Sequence, residues 1–208
     1  MWQSALVFAA TSQHTHVVCD TTVNVGDGRI VIELWPHAAP LGVQRLTELV
    51  HDHFMDGLPM FRALPNFLVQ FGIQPDAELQ AKWKQRGAIQ DDPPSSIPFT
   101  EGVVSFAGAM NRGDGAGSRG TQLFMTLGNQ PGLGKAKWEV PVGKVVRGVE
   151  VLRGVYTGYG GQVSQSRLRG PGGTEYLETS FPLLSYFRSC NVSSHGADDK
   201  DELRRRRG

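Results

Sequence analysis

The stretch that decides the fold lies at positions 61–70, which are Phe61-Arg62-Ala63-Leu64-Pro65-Asn66-Phe67-Leu68-Val69-Gln70. Two short runs of apolar and aromatic residues flank Pro65-Asn66, and this arrangement is typical of two strands joined by a turn. The stretch therefore predicts a strand pair that carries an arginine and a glutamine among apolar side chains. Polar groups in such surroundings need partners or a ligand, which makes Arg62 and Gln70 candidate site residues.

Short strands separated by turns account for most of the chain on either side of this stretch. Alternating or β-branched runs predict strands at 16–22, 29–34, 61–64, 67–71, 103–107, 122–127, 140–146 and 183–192. Helical spacing of Val43, Leu46, Val50 and Phe54 predicts one helix, and a short second helix is expected within 149–156. About eight strands and two helices, without β–α–β alternation, favour an antiparallel barrel or a sandwich.

The segments between these elements are predicted to be loops. The stretch 74–98 is polar and contains Pro93-Pro94, so it is interpreted as a long surface loop. Glycine-rich loops are expected at 110–120, 129–136 and 158–173, in keeping with 26 glycines in the chain.

Length and charge exclude several classes of protein. The chain has 208 residues and a formal net charge of +1, which fits one domain and gives no general attraction to nucleic acid. No apolar run approaches the roughly 18 residues of a membrane span. We therefore expect no nucleic-acid partner and no membrane-spanning segment.

Two motifs that suggest cofactors or metals lack the necessary context. Residues 115–120 match G-x-G-x-x-G, but a strand-like run follows them instead of the helix that a nucleotide-binding loop requires. The pairs His14/His16 and His51/His53 have no cysteine or carboxylate cluster to complete a metal site. No cofactor and no metal are expected.

The two ends differ from the body of the chain in composition. Residues 1–15 are interpreted as an N-terminal extension and 193–208 as a disordered charged tail, which leaves 16–192 as the folded domain. The tail contains Lys200-Asp201-Glu202-Leu203, an endoplasmic-reticulum retention signal, but five residues follow it. Because no convincing signal peptide is present, a soluble cytoplasmic protein is favoured over a secreted one.

Five motifs in order resemble those of the cyclophilins. The stretch 61–70 resembles the family's F-x-R-I-x-P-x-F-M-x-Q-G, and 120–124 resembles its G-S-Q-F-F. Residues 106–109 stand where the family has M-A-N-A, 142–148 resemble F-G-K-V-x-x-G, and 29–34 resemble its opening strand. Over about residues 16–192, the resemblance implies a closed eight-stranded antiparallel barrel capped by two helices. It also implies a peptidyl-prolyl cis-trans isomerase that needs no cofactor.

The resemblance implies roles for individual residues. Arg62 and Gln70 correspond to catalytic positions, and the substrate-binding positions are Phe67, Leu68, Ala107, Gly108, Gln122, Phe124, Leu133 and Glu139. The expected partners are proline-containing peptides or proteins, and the chain is expected to be a monomer. A different class of function stays open, namely a module that binds proline-containing segments without isomerising them.

Three positions depart from the family at the rim of the pocket. Gly108 replaces an asparagine, Glu139 stands near the position of the pocket histidine, and Leu133 is the apolar residue nearest to the missing tryptophan. A carboxylate facing an apolar ligand is costly, so we expect only weak binding of cyclosporin A.

The two cysteines, Cys19 and Cys190, fall in the first and last predicted strands. These strands are neighbours in the cyclophilin fold, so the two Cα atoms are expected to lie within about 7 Å of each other, which is disulfide range. Without a signal peptide, the sequence favours two reduced, buried thiols over a bridge.

Overall fold

A computed structural model describes residues 15–108 and 117–194. The predicted N-terminal extension up to residue 14 and the predicted tail beyond residue 194 lie outside the described residues. So do Ala109 and the part of the predicted glycine loop that runs from 110 to 116.

Nine antiparallel strands form a single sheet in the described residues. They are β1 (His16–Thr21), β2 (Arg29–Leu34), β3 (Leu58–Pro59), β4 (Arg62–Leu64), β5 (Leu68–Phe71), β6 (Val103–Phe106), β7 (Leu123–Thr126), β8 (Pro141–Arg147) and β9 (Tyr186–Ser193). The order across the sheet is β3-β9-β1-β2-β8-β6-β7-β5-β4. All eight predicted strands are therefore confirmed within a residue or a few at their ends.

The sheet curls so that its two ends approach each other. Strands β3 and β4 lie at opposite ends of the order, yet only Met60 and Phe61 separate them along the chain. The three Cα–Cα steps from Pro59 to Arg62 span at most about 11 Å, so the edges must lie close together. The mainly β, barrel-like architecture is confirmed, but the described sheet has nine strands rather than eight, because β3 is too short to give a pattern.

Five helical segments accompany the sheet in the described ranges, where two were predicted. They are α1 (Pro40–His51), α2 (Ala77–Arg86), α3 (Val149–Arg153), α4 (Gln165–Leu168) and α5 (Gly173–Ser180). In α1, Val43, Leu46 and Val50 are buried as their spacing predicts, and Pro40 begins the helix. None of the helices in residues 15–108 and 117–194 is long and apolar enough to cross a bilayer.

Helix α2 corrects the prediction that 74–98 is loop throughout. Asp76 caps it by accepting a hydrogen bond from the Leu79 N–H at 2.9 Å, and Trp83 is its one buried residue. Trp83 donates its indole N–H to Asp52 at the end of α1, at 2.7 Å. A helix with a single buried anchor has no apolar stripe in its sequence, and this is why periodicity missed it.

Helices α4 and α5 correct the interpretation of 158–173 as loop. Together they cover a second apolar cluster, beside the main core, that consists of Phe61, Ile73, Val163, Leu168, Tyr176, Leu177, Phe181 and Leu184. Because Phe61 immediately precedes β4, this cluster places the α4–α5 segment next to the stretch at 61–70.

The terminal strands β1 and β9 pair with Cys19 opposite Cys190. Their Cα atoms are 4.1 Å apart, which confirms the predicted proximity, and the two sulfurs form a disulfide. The prediction of two reduced thiols was therefore wrong. Both cysteines are almost completely buried, and nothing in the local sequence of either strand distinguishes a bridged pair from two buried thiols.

Candidate active site

Arg62 and Gln70 face each other across the hairpin of β4 and β5. They are direct register partners, and the Nη1 atom of Arg62 donates a hydrogen bond to Oε1 of Gln70 at 3.0 Å. Asn66, in the turn, has φ 57°, a left-handed conformation that asparagine tolerates better than most residues. The hairpin encoded in the stretch 61–70 therefore fixes the relative position of the two side chains.

A second hydrogen bond extends this pair to the neighbouring strand. The Nε2 atom of Gln70 donates to Oε1 of Gln122 at 3.0 Å. Gln70 is 8% exposed, whereas Arg62 and Gln122 are half-buried. The three side chains form one chain of hydrogen bonds that leaves other donors of Arg62 available to a ligand. No ion pair among the described residues includes Arg62.

An apolar cluster lies beside the Arg62–Gln70–Gln122 chain. Its buried members are Leu68, Phe99, Val103 and Phe124, and the half-buried side chains packed against them are Trp35, Phe67, Ala107 and Leu133. The guanidinium carbon of Arg62 lies 6.0 Å from the centre of the Phe67 ring. The fold thus brings together five of the residues that the resemblance assigned to substrate binding: Phe67, Leu68, Ala107, Phe124 and Leu133.

Phe99 belongs to this cluster, although sequence reasoning did not single it out. Its ring stacks on that of Phe124 at 6.0 Å between centroids. It lies between the segment 74–98, predicted as loop, and the strand predicted at 103–107, so no predicted element included it.

Gly108 faces a cleft of about 380 Å³ that Gln70, Ala107 and Gln122 also line. A Cβ atom at Gly108 would lie only 2.3 Å from Cγ of Trp138, which is almost fully buried. An asparagine therefore does not fit at this position while Trp138 stays in place. The glycine and the tryptophan are complementary, and sequence reasoning did not single out Trp138.

The structure places Glu139, which was predicted at the pocket, among the residues of its own loop, and Glu139 does not line the cleft of about 380 Å³. Its Oε2 atom accepts hydrogen bonds from the backbone N–H groups of Gly134, Lys135 and Ala136, at 2.9, 3.1 and 3.2 Å. It lines a different cavity, of about 300 Å³, which Asp91 and Asp92 share. A carboxylate that accepts three backbone donors is committed to organising its own loop.

The segment between α3 and β9 contributes residues to the site that sequence reasoning missed. The carbonyl of Gly160 accepts a hydrogen bond from the Ala63 N–H of edge strand β4 at 3.0 Å. A Cβ atom at Gly161 would lie 3.7 Å from Nε of Arg62. Gln165 and Arg169 line the cleft of about 380 Å³ together with Gln70 and Gln122. The polar, glycine-rich sequence of this segment gave no sign of its position.

Comparison with known proteins identifies the family. The family model described as "Cyclophilin type peptidyl-prolyl cis-trans isomerase/CLD" matches residues 19–168, which is more than half of the chain. The chain therefore belongs to the cyclophilin-type peptidyl-prolyl cis-trans isomerase family, and the resemblance found in the sequence is confirmed.

Curated relatives carry the same family name at low identity. The chain is 32% identical over 106 residues to the peptidyl-prolyl cis-trans isomerase CYP57 of Arabidopsis thaliana, a match covering 50% of this chain and 20% of that protein. It is 26% identical over 154 residues to a peptidyl-prolyl cis-trans isomerase of Acinetobacter baylyi, covering 71% of this chain and 78% of that protein.

Solved structures share the fold. A cyclophilin-type peptidyl-prolyl cis-trans isomerase of Cryptosporidium parvum superposes with a TM-score of 0.59 at 16% identity, covering 88% of this chain and 99% of that one. The Mimivirus cyclophilin gives a TM-score of 0.60 at 16% identity, covering 95% and 98%. The same Cryptosporidium protein has also been crystallised in the presence of the dipeptide Ala-Pro.

Proposed function

We propose that this chain catalyses the cis-trans isomerisation of X–Pro peptide bonds and that Arg62 is its catalytic residue. The observation that carries the proposal is the position of Arg62. Its guanidinium is half-buried next to an apolar cluster, is held by the neutral side chain of Gln70, and forms no ion pair in the described part of the chain.

The chemistry of the reaction explains why an arginine suits this position. Rotation about a peptide bond faces a barrier of ~18–20 kcal/mol because the nitrogen shares its lone pair with the carbonyl. In the twisted transition state the prolyl nitrogen becomes pyramidal and accepts a hydrogen bond, whereas the planar nitrogen of the ground state accepts poorly. A hydrogen bond from Arg62 to this nitrogen therefore favours the transition state over the ground state.

A single bond of this kind accounts for part of the rate. A hydrogen bond to a charged group contributes about 1.5–3 kcal/mol, which corresponds to roughly one to two decades of rate. The remainder comes from holding the peptide. Phe67, Leu68 and Phe124 form the apolar surface for the proline ring, with Leu133 at its edge and Ala107 and the Gly108 backbone beside it. Gln70 positions the guanidinium, and Gln122 positions Gln70.

The test is the rate of exchange of a model X–Pro peptide, measured by NMR exchange spectroscopy. Wild-type protein should accelerate exchange, and Arg62→Ala should abolish most of the acceleration. Arg188→Ala is a matched control, since Arg188 is exposed on β9, away from the site residues. If wild-type protein binds the peptide without accelerating exchange, the chain is a peptide-binding module and the proposal fails.

Weak binding of cyclosporin A stays part of the proposal, for a reason that differs from the one given by the sequence. The Glu139 carboxylate is bound by the backbone of its own loop, so it is not the reason for weak binding. Instead, Trp138 fills the space next to Gly108, so the rim lacks the asparagine side chain that the family has at this position. A calorimetric titration measures the affinity. Binding as tight as that of a cyclophilin with the family's tryptophan and histidine would contradict this expectation.

We further propose that the chain is a monomer, which light scattering can measure. The Cys19–Cys190 disulfide favours an oxidising compartment over the cytoplasmic location that the sequence suggested, because disulfides are rare in the cytosol. Alkylation of free thiols in protein from its natural source tests the compartment.

A further inference from the structure

The cleft next to Gln70 continues into a longer groove. The cleft of about 380 Å³ shares Gly120, Thr121 and Arg169 with a second cleft of about 650 Å³, which extends along α2 to Trp83 and Lys84. A peptide held at Arg62 and Gln70 therefore has a continuous surface on which to extend. Arg169 lies at the junction of the two clefts.

The groove carries positive charge that no acidic residue among its described lining residues neutralises. Its lining includes Arg169 and Lys84, and none of the described residues that line either cleft is an aspartate or a glutamate. Neither cation belongs to an ion pair within the described ranges. Charge complementarity therefore favours an acidic segment as the occupant.

Within the described residues, the hydrogen-bond partners that orient Arg169 are neutral groups of Gln165. Its guanidinium donates to the backbone carbonyl of Gln165 at 3.3 Å and to the Gln165 Oε1 atom at 3.1 Å. Desolvation lowers the pKa of the guanidinium, and no neighbouring carboxylate among the described residues offsets this effect. Held in this way, the guanidinium presents its remaining donors toward the cleft, and its planar fork matches a carboxylate.

We propose that Arg169, positioned by Gln165, forms a subsite for a carboxylate side chain of the proline-containing substrate. The enzyme then favours peptides with a glutamate or aspartate within a few residues of the isomerised proline. Lys84 extends the same preference to a second acidic residue further along the groove. This inference rests on the proposed isomerase function and assigns it a substrate class.

The subsite is tested with pairs of X–Pro peptides that differ only in carrying Glu or Gln at one position. That position is varied over the three residues before and the three residues after the X–Pro pair. The measured quantity is the Glu-to-Gln ratio of kcat/KM. At low salt and at the best position we expect a ratio of about five for the wild type, because a partly exposed ion pair is worth under about tenfold. The ratio should fall toward one at high ionic strength.

Variants of the arginine make the test specific. Arg169→Gln should bring the Glu-to-Gln ratio to about one. Arg169→Glu should lower this ratio below one, and it should raise kcat/KM for a peptide with lysine at the same position above that for the Gln peptide. Arg167→Gln is the matched control. It removes an equal charge two residues away, inside α4, but Arg167 stacks on Tyr176 and lies outside both clefts. Its ratio should equal that of the wild type.

The outcomes separate the two proposals. If wild-type protein isomerises the Glu and Gln peptides equally, or if Arg169→Gln keeps the wild-type ratio, the subsite is overturned and the isomerase function stands. If no peptide is isomerised, the proposed function fails. The Kd values of the labelled Glu and Gln peptides, measured by fluorescence anisotropy with wild type and Arg169→Gln, then decide the subsite on their own. Equal values for both peptides overturn it.

Discussion

Two arginines in this molecule occupy opposite environments. Arg119 is completely buried, and its Nη1 atom lies 2.6 Å from Oδ2 of Asp92, which is also completely buried at its side chain. Asp92 in turn accepts hydrogen bonds from the N–H groups of Leu41 and Gly42, in the first turn of α1. This group of residues, which we call the Arg119 cluster, ties the start of α1 to two loops.

Arg62 differs in both exposure and partner. It is half-buried, and the side chain that holds it is the neutral Gln70. A fully buried charge must be paired, because desolvation costs several kcal/mol per ion, so Arg119 cannot leave Asp92 for a ligand. Arg62 keeps part of its hydration, and no carboxylate in the described part of the chain forms an ion pair with it. Arg119 therefore stabilises the fold, whereas the guanidinium of Arg62 can bind a ligand.

The largest expected effect is at the Arg119 cluster. Arg119→Met should lower the free energy of unfolding by about 3–5 kcal/mol, because Asp92 would be left buried without its cation. Urea denaturation measures this loss. Arg153→Met is the control, since it removes an exposed ion pair with Glu101 and should lower the free energy of unfolding far less than Arg119→Met does. Equal losses in the two variants would show that Arg119 is not distinguished by its burial.

The disulfide provides a change in stability that is remote from the chemistry. Replacing Cys19 and Cys190 together by alanine should lower the free energy of unfolding by about 2–4 kcal/mol, because a bridge over a sequence separation of 171 constrains the unfolded chain. At a temperature where the variant is folded, kcat/KM should equal that of wild type. A large loss of activity in a folded variant would mean that the terminal strands influence the site.

Arg62→Ala should lower the activity strongly and the stability only slightly, the reverse of the disulfide variant. The rate of peptide isomerisation should fall by about 10- to 150-fold, the equivalent of 1.5–3 kcal/mol, while the free energy of unfolding falls by only about 1 kcal/mol, the net worth of the hydrogen bond to Gln70. Arg62→Lys tests whether the planar guanidinium is needed in addition to its charge. This variant should retain only part of the wild-type rate, because an ammonium group cannot match the guanidinium geometry. Loss of stability comparable to that of Arg119→Met would remove the contrast between the two arginines.

The smallest expected effect concerns an ion pair of intermediate exposure. A hydrogen bond from Lys82 to Asp52, joined by one from Trp83, holds the pKa of the Asp52 carboxyl below its ordinary value. The folded-state pKa is depressed, so this contribution is present above the unfolded value of about 4 and is lost as pH falls through the folded value. It should be under about 1 kcal/mol.

Denaturation curves between pH 6 and 2, written as free energy of unfolding against pH, measure the contribution of Asp52. Below about pH 4, the free energy of unfolding should change less steeply with pH in Asp52→Asn than in wild-type protein, because the variant has no carboxyl group to protonate at this position. A steeper slope in the variant would contradict the sign of the shift.

The sequence alone determined the features that depend on residues close together in the chain. The β4–β5 hairpin, helix α1 and most strand positions follow from local periodicity and turn residues. The pairing of Arg62 with Gln70 follows too, because a short hairpin fixes its own register. The five ordered motifs also indicated the family, although they carry no information about the charge of the groove along α2.

The tertiary structure decided the features that depend on contacts between distant segments. Glu139 was predicted at the pocket, but three backbone N–H groups draw it into its own loop. Trp138 fills the space that a side chain at Gly108 would need. Arg169 reaches the site only because α4 and α5 pack on an apolar cluster that includes Phe61. Such contacts arise from packing, and local composition does not encode which distant surfaces meet. For this reason the sequence could single out Arg62 as a candidate catalytic residue but not Arg169, which lines the cleft next to Gln70.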